Sequence, residues 1–303
     1  MPEMKRFARR IGREWELLAL VLPTLAFYVI FHYGPMYGLR IAFMDYNPFL
    51  GFAKSKWVGL KHFRNFFASP MSWTYIANTL RISVVSFICG YPIPIILALM
   101  FNSLPLKQTR KLIQTVFYMP NFVSVVVTVG MLQLFTNNQV GIINQIVRRL
   151  GGSALDFTTA GSFLPQYVIS GIWSGAGWST LIYTGALAGV SPELYEAAIV
   201  DGASKIQRVL RIDLPSIAPT LSITLILAIG GIMSVGNEKV LLMQLPTNLS
   251  VTEIISTYTY HAGIINNQFS FSSAIGLMNS AVNLALVLAA NFISRRATDT
   301  GLW

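Results

Sequence analysis

The sequence predicts an all-α integral membrane protein built on six transmembrane helices. Hydrophobic residues make up 53% of the 303 residues and charged residues only 11%, where a soluble domain carries about 25% charge. So little charge cannot cover a water-facing surface. Six stretches lack charge and can each hold the roughly 20 helical residues that cross a bilayer. Lysines and arginines gather at alternate ends of those stretches. In lipid every backbone amide must be satisfied within its own segment, so the spanning elements are expected to be helices.

The first stretch, residues 17–39, follows a basic front, as a secretory leader would. It is too long for a leader core and no small-x-small cleavage pattern follows it, so it reads as a retained first span. The others are residues 82–106, 112–147, 157–192, 214–237 and 254–294. The longer ones also contain polar loop segments, such as Thr136-Asn137-Asn138-Gln139 and Asn266-Asn267-Gln268. Residues 1–16 are expected as a cytoplasmic segment, 17–294 as one transmembrane domain and 295–303 as a cytoplasmic tail. Prolines and glycines inside the spans, among them Pro23, Pro35, Pro120, Gly177 and Gly230, predict bends and close helix contacts.

Charge placement sets the orientation. Lys5, Arg6, Arg9, Arg10 and Arg13 precede the first span; Lys107, Arg110 and Lys111 follow the second; Lys205, Arg208 and Arg211 follow the fourth; Arg295 and Arg296 follow the sixth. Six spans put all of these on one side, so both termini are expected in the cytoplasm. The first outer loop dissents with Lys54, Lys56, Lys61 and Arg64. Its Trp57, Phe63, Phe66 and Phe67 predict a short amphipathic helix on the outer membrane surface. The net charge of +10 would suggest nucleic acid in a soluble protein; here the loops account for it, and no nucleic-acid partner is expected. Cys89 is the single cysteine and reads as a small core or lipid-facing residue.

The polar segment of residues 191–215 interrupts the apolar stretches. Ser191 is placed to cap a helix, Pro192 suits its first turn, and Glu193 and Glu196 favour its positive end. Ala197 and Ala198 leave room for another protein's surface. Gly202 is a helix stop, Ser204 a second cap, and Leu214-Pro215 the end of the second helix. The expectation is two short helices across the cytoplasmic face.

Glu196-Ala197-Ala198, then Asp201-Gly202, then Ile212 and Leu214-Pro215 resemble the signature loop of the membrane subunits of binding-protein-dependent ABC importers. FHYGPMYGLRIAF, WVGLKHFRNFF, PIPIILALMFN, YVISGIWSGAGW, IYTGALAGVSPELYEAA and VGNEKVLL resemble the carbohydrate subgroup that handles complex oligosaccharides. The maltose-transporter membrane subunits are similar more distantly. The resemblance implies a type I importer fold in a bacterial cytoplasmic membrane. It also implies a second permease subunit in a heterodimer, two copies of a cytoplasmic ATPase, an extracytoplasmic solute-binding protein and an oligosaccharide substrate. Glu196, Ala197, Ala198, Asp201, Gly202, Leu214 and Pro215 would then couple to the ATPase. ATP and magnesium would belong to that partner, and this chain would bind no cofactor.

Polar and aromatic residues within spans are costly and mark pathway candidates: Asn121, Trp173, Trp178, Tyr183, Ser234, Asn237, Asn279 and Asn283. Asn279 and Asn283 are one helical turn apart. Glu238 and Lys239 read as headgroup-level charges, and Arg81 as a residue that snorkels outward. There is no G-x-x-x-x-G-K-[ST], and His32, His62 and His261 are far apart in sequence, so neither a nucleotide site nor a metal or catalytic site is expected. The alternative of an ion-coupled secondary transporter needs ionisable residues at mid-membrane, and the spans lack acids there.

Overall fold

The computed structural model describes residues 15–298, 301 and 302. The basic cluster from Lys5 to Arg13 and the final Trp303 lie outside these. The chain forms two compact units.

The first unit is Met1–Phe66 with Ala262–Leu277. Helix α1, Trp15–Phe43, is a long apolar helix, and none of its most apolar window is buried by the chain itself. It feeds a two-residue antiparallel ladder, β1 Met44–Asp45 against β2 Lys56–Trp57, a local clip in an otherwise helical fold. Phe43 stacks on Trp57 with ring centroids 5.7 Å apart, a pairing that extended strands favour. The amphipathic helix expected in the first loop is α2, Lys61–Ala68, with His62 and Phe66 on its buried face. Lys61 pairs with Asp45 at 2.8 Å, and this hydrogen bond holds the Asp45 carboxyl below its ordinary range.

The second unit is Phe67–His261 with Met278–Trp303. Its long helices are α3 Pro70–Asn102, α4 Lys107–Phe122 and α5 Val125–Phe135, α7 Ala160–Ala188 and α9 Lys205–Gly230. The shorter ones are α6 Ile142–Arg149, α8 Pro192–Val200, α10 Asn237–Met243, α11 Leu249–Thr252 and α12 Ile255–Tyr260. Helix α13, Phe269–Thr298, begins in the first unit and continues into the second. One core cluster joins Ile82, Val129, Phe163, Val240, Met243 and Ile254. A second joins Ala98, Tyr183, Leu187 and Ile217.

Length and apolarity mark four described helices as spans, α1, α3, α9 and α13, or five if the bent pair α4–α5 is one span. They do not mark six. Helix α7 has 29 residues, enough to cross a bilayer at 1.5 Å per residue. Its Gln, Ser, Thr and Gly content dilutes its apolarity. That composition suits a helix facing other helices, and α7 packs against α3, α4 and α9. At Gly177 a Cβ would overlap the Phe117 carbonyl of α4, the kind of close approach that small residues permit in membranes.

Several boundaries move. The stretch 112–147 is not one rod: α4 and α5 meet at 95°, because Pro120 interrupts the ladder and Ser124 starts a new helix by accepting the Val127 N–H at 3.3 Å. The stretch 254–294 is likewise split between α12, a wide π-helical turn at His261–Ile265 and α13. Helix α3 begins well before residue 82 and so carries Arg81, which is exposed.

Candidate functional site

Residues 191–215 form a helical hairpin. Pro192 opens α8 and Ser191 sits at its N-cap, but the Ser191 side chain makes no cap hydrogen bond. Helix α8 closes at Gly202, whose φ of 73° lies in the left-handed region that glycine adopts without strain. The Ala203 N–H reaches the Ala198 carbonyl at 2.8 Å and the Gly202 N–H the Ile199 carbonyl at 3.0 Å. This pair of bonds satisfies carbonyls that the helix end leaves orphaned. Ser204 then caps α9: its hydroxyl accepts the Gln207 N–H at 3.3 Å, and the Gln207 side chain accepts the Ser204 N–H at 2.7 Å. Such a capping box contributes about 1 kcal/mol.

Leu214-Pro215 does not end the second helix as expected. Helix α9 runs unbroken through it because the turn Val209–Asp213 widens to π-helical form, with the Leu214 N–H on the Val209 carbonyl. The wider turn accommodates Pro215, which has no N–H to give.

The inner side of the hairpin is tied down by Tyr195, Asp213 and Asn102, to which the sequence assigns no role, and by Arg110, which reads there only as a loop charge. The Tyr195 hydroxyl of α8 donates to Asp213 Oδ1 at 2.5 Å. Asn102, at the end of α3, donates to Tyr195 Oη and to Asp213 Oδ1, both at 3.3 Å. Arg110 of α4 donates to the carbonyls of Asn102 and Leu104 at 2.9 and 3.0 Å. Asp213 is only 3% exposed. Burial, then the bond to Asp213, pushes the Tyr195 hydroxyl up to about 12, so it remains a donor. Helices α3, α8 and α9 thus meet at one carboxylate, and α4 joins them through the end of α3. The one signal in the sequence was an aspartate set directly before the Leu-Pro that opens a span.

The outer side carries Glu196, Ala197, Asp201, Gly202 and Pro215, all exposed, with Ala198 and Leu214 partly so. Large apolar side chains lie among them: Leu194, Ile199, Leu210, Ile206 at 73% exposure and Val200 at 86%. An exposed apolar patch on a polar loop is the mark of a docking surface.

The pathway candidates fall into separate places. Ser234, Asn279 and Asn283 come together at the irregular backbone after α9. Asn283 Oδ1 accepts the Met233 N–H at 3.2 Å, its amide donates to Ser234 Oγ at 2.9 Å, and Asn279 donates to the Met233 carbonyl at 3.3 Å. These amides satisfy backbone that no helix satisfies, as apolar surroundings require. Asn237 begins α10, and its Oδ1 is buried with no hydrogen-bond partner among the described residues. Trp178 and Tyr183 line one cavity of about 420 Å³ with Tyr91 and Thr224; Tyr183 donates to Thr224 Oγ1 at 3.1 Å. Trp173 lines an apolar cavity of about 530 Å³. Asn121 is exposed at the α4–α5 bend. Lys239 is no headgroup charge: its Nζ donates to the Tyr167 carbonyl at 2.8 Å and lies 4.5 Å from that ring's centroid. A further cavity of about 430 Å³, lined by Gln133, Asn137, Asn138, Gln139, Phe157 and Phe163 among others, was not anticipated.

Long apolar helices broken at proline and glycine, with a polar helical hairpin set between two of them, are the frame of a multi-span membrane subunit. The chain belongs to the binding-protein-dependent transport system inner membrane component family, which matches residues 90–299. It is 39% identical to Protein LplB of Bacillus subtilis (strain 168) over 97% of this chain and 92% of that protein. It is 38% identical to the polygalacturonan/rhamnogalacturonan transport system permease protein YteP of the same organism, over 99% and 94% of the two chains. A chain in the crystal structure of a bacterial alginate ABC transporter, in complex with alginate pentasaccharide-bound periplasmic protein, superposes with a TM-score of 0.88. It is 38% identical, covering 98% of this chain and all of that one.

Proposed function

We propose that this chain is one of two membrane subunits of an ATP-driven importer that moves an acidic oligosaccharide handed over by an extracytoplasmic binding protein. The observation that carries the reading is the near full-length likeness, at 38% identity, to a chain of an alginate ABC transporter in complex with an alginate pentasaccharide-bound periplasmic protein. Alginate is an acidic polysaccharide, and a second relative is named for polygalacturonan. Exposed Lys54, Lys56 and Arg64 in the first loop are compatible with an anionic solute. The amide- and aromatic-lined cavity at Asn138 and Phe157 offers the groups that hold sugar hydroxyls and ring faces.

In this reading the hairpin faces the cytoplasm with both termini. Glu196, Ala197, Ala198, Asp201, Gly202, Leu214 and Pro215, with the exposed Val200 and Ile206, meet a separate ATPase present in two copies. ATP and magnesium stay on that subunit, and this chain is non-catalytic. The second permease subunit covers α1, which its own chain leaves bare. Closure of the ATPase pair moves the hairpin and, through Tyr195 and Asp213, the ends of α3 and α9, a rigid-body switch biased by nucleotide.

Deleting the gene in its native host is expected to abolish growth on oligogalacturonides or alginate oligosaccharides but not on maltooligosaccharides. The wild-type gene restores growth. Gly202→Asp, which puts a charged side chain at a left-handed backbone position in the docking face, leaves the protein in the membrane without restoring growth. Undiminished growth of the deletion strain on every acidic oligosaccharide, or rescue by Gly202→Asp, overturns the reading.

A further inference from the structure

The cavity behind the hairpin holds more positive charge than the Tyr195–Asp213 network uses. About 390 Å³ in volume, it is lined by Arg110, Lys205 and Arg208 against one carboxylate, Asp213. That carboxylate already accepts from Tyr195 and Asn102, and among the described residues no ion pair joins it to the three cations. The Nε atoms of Arg110 and Arg208 are both shut off from solvent with no hydrogen-bond partner among the described residues. A buried N–H donor left without an acceptor is costly, both side chains are otherwise partly exposed toward the cavity, and the planar guanidinium fork matches the oxygens of a phosphate. Leu104, Pro105 and Val209 share the wall, so cationic and apolar groups lie side by side. The cavity sits where α3 ends and α9 begins, at the level where long apolar helices pass into a polar loop. Basic pockets between membrane helices at such a level take anionic headgroups.

We propose that this cavity is a phosphate-binding site, seating the headgroup phosphate of an anionic phospholipid against Arg208, Lys205 and Arg110. The bound phosphate bridges the first turn of α9 to α4, and so steadies the frame against which the hairpin moves. The assignment rests on the cytoplasmic orientation proposed above, but its test needs no transported solute, so it fails or stands apart from the oligosaccharide reading.

The importer complex, purified with its partner subunits and stripped of lipid by detergent, is titrated with phosphatidylglycerol or phosphatidylcholine and read by native mass spectrometry. The wild type is expected to hold phosphatidylglycerol about tenfold more tightly than phosphatidylcholine. The double variant Lys205→Gln/Arg208→Gln loses that preference while still copurifying with the ATPase, which shows it is folded. Arg208→Lys, which keeps the charge and loses the fork, falls between the two. Displacement of the lipid by millimolar inorganic phosphate supports the phosphate site and overturns its assignment to a lipid. A wild type that neither prefers phosphatidylglycerol over phosphatidylcholine nor binds inorganic phosphate, or a preference unchanged in the double variant, overturns the site.

Discussion

Tyr195 and Asp213 are 18 residues apart in the chain, yet they decide how the hairpin is held. The hydroxyl stays protonated because burial and the neighbouring carboxylate push its titration up to about 12. Tyr195→Phe keeps the ring and removes the donor, leaving the buried Asp213 with the Asn102 amide alone. Loss of one partner of a buried carboxylate costs about 1–3 kcal/mol. In proteoliposomes containing the whole importer, the variant is expected to hydrolyse several times more ATP per solute moved. An unchanged ratio would show that the bond is packing and not transmission. The outer face of the hairpin was legible in residues: Gly202 stops a helix and Ser204 caps one because those side chains act on their own backbone neighbours. The inner face was not, since a bond from α8 back to the first turns of α9 leaves no local pattern. Ser191 shows the converse error, a good cap residue in the right place that the structure does not use.

Among the elements, α7 shows what composition conceals. It is a charge-free stretch like the others, but it packs against α3, α4 and α9, most closely where Gly177 meets α4. Gly177→Val drives a side chain into the Phe117 carbonyl, an overlap that backbone cannot yield cheaply, at a cost of about 3 kcal/mol or more. Gly175, two residues earlier, has nothing within 4 Å of where its Cβ would lie, so Gly175→Val is tolerated. The expected outcome is a large drop in folded, membrane-extracted protein for the first variant and little change for the second, measured by size-exclusion recovery and thermal unfolding in detergent. The long apolar runs were readable because charge is excluded from them. The breaks were harder: Pro120 announces one, but its 95° angle depends on Ser124 starting a fresh helix. The β1–β2 ladder is too short to leave an alternating pattern.

At the scale of the whole molecule, family membership was written in one spacing and many longer strings, while the solute was not. The acids and bases that would choose it are few and dispersed over loops. The sidedness proposed from lysines and arginines is open to a direct check. Cys89 is the single cysteine, and Ser204 is exposed on the hairpin. In a Cys89→Ser background, Ser204→Cys is expected to react with a membrane-impermeant maleimide only after the cells are permeabilised; labelling of intact cells would invert the topology. Helix α1, with none of its most apolar window buried by its own chain, and the exposed Val200 and Ile206 have a consequence in the cell. In the proposed assembly, a copy made in excess of its partners would display this apolar surface, which quality-control proteases recognise. The abundance of this chain is then expected to follow the scarcest member of the set.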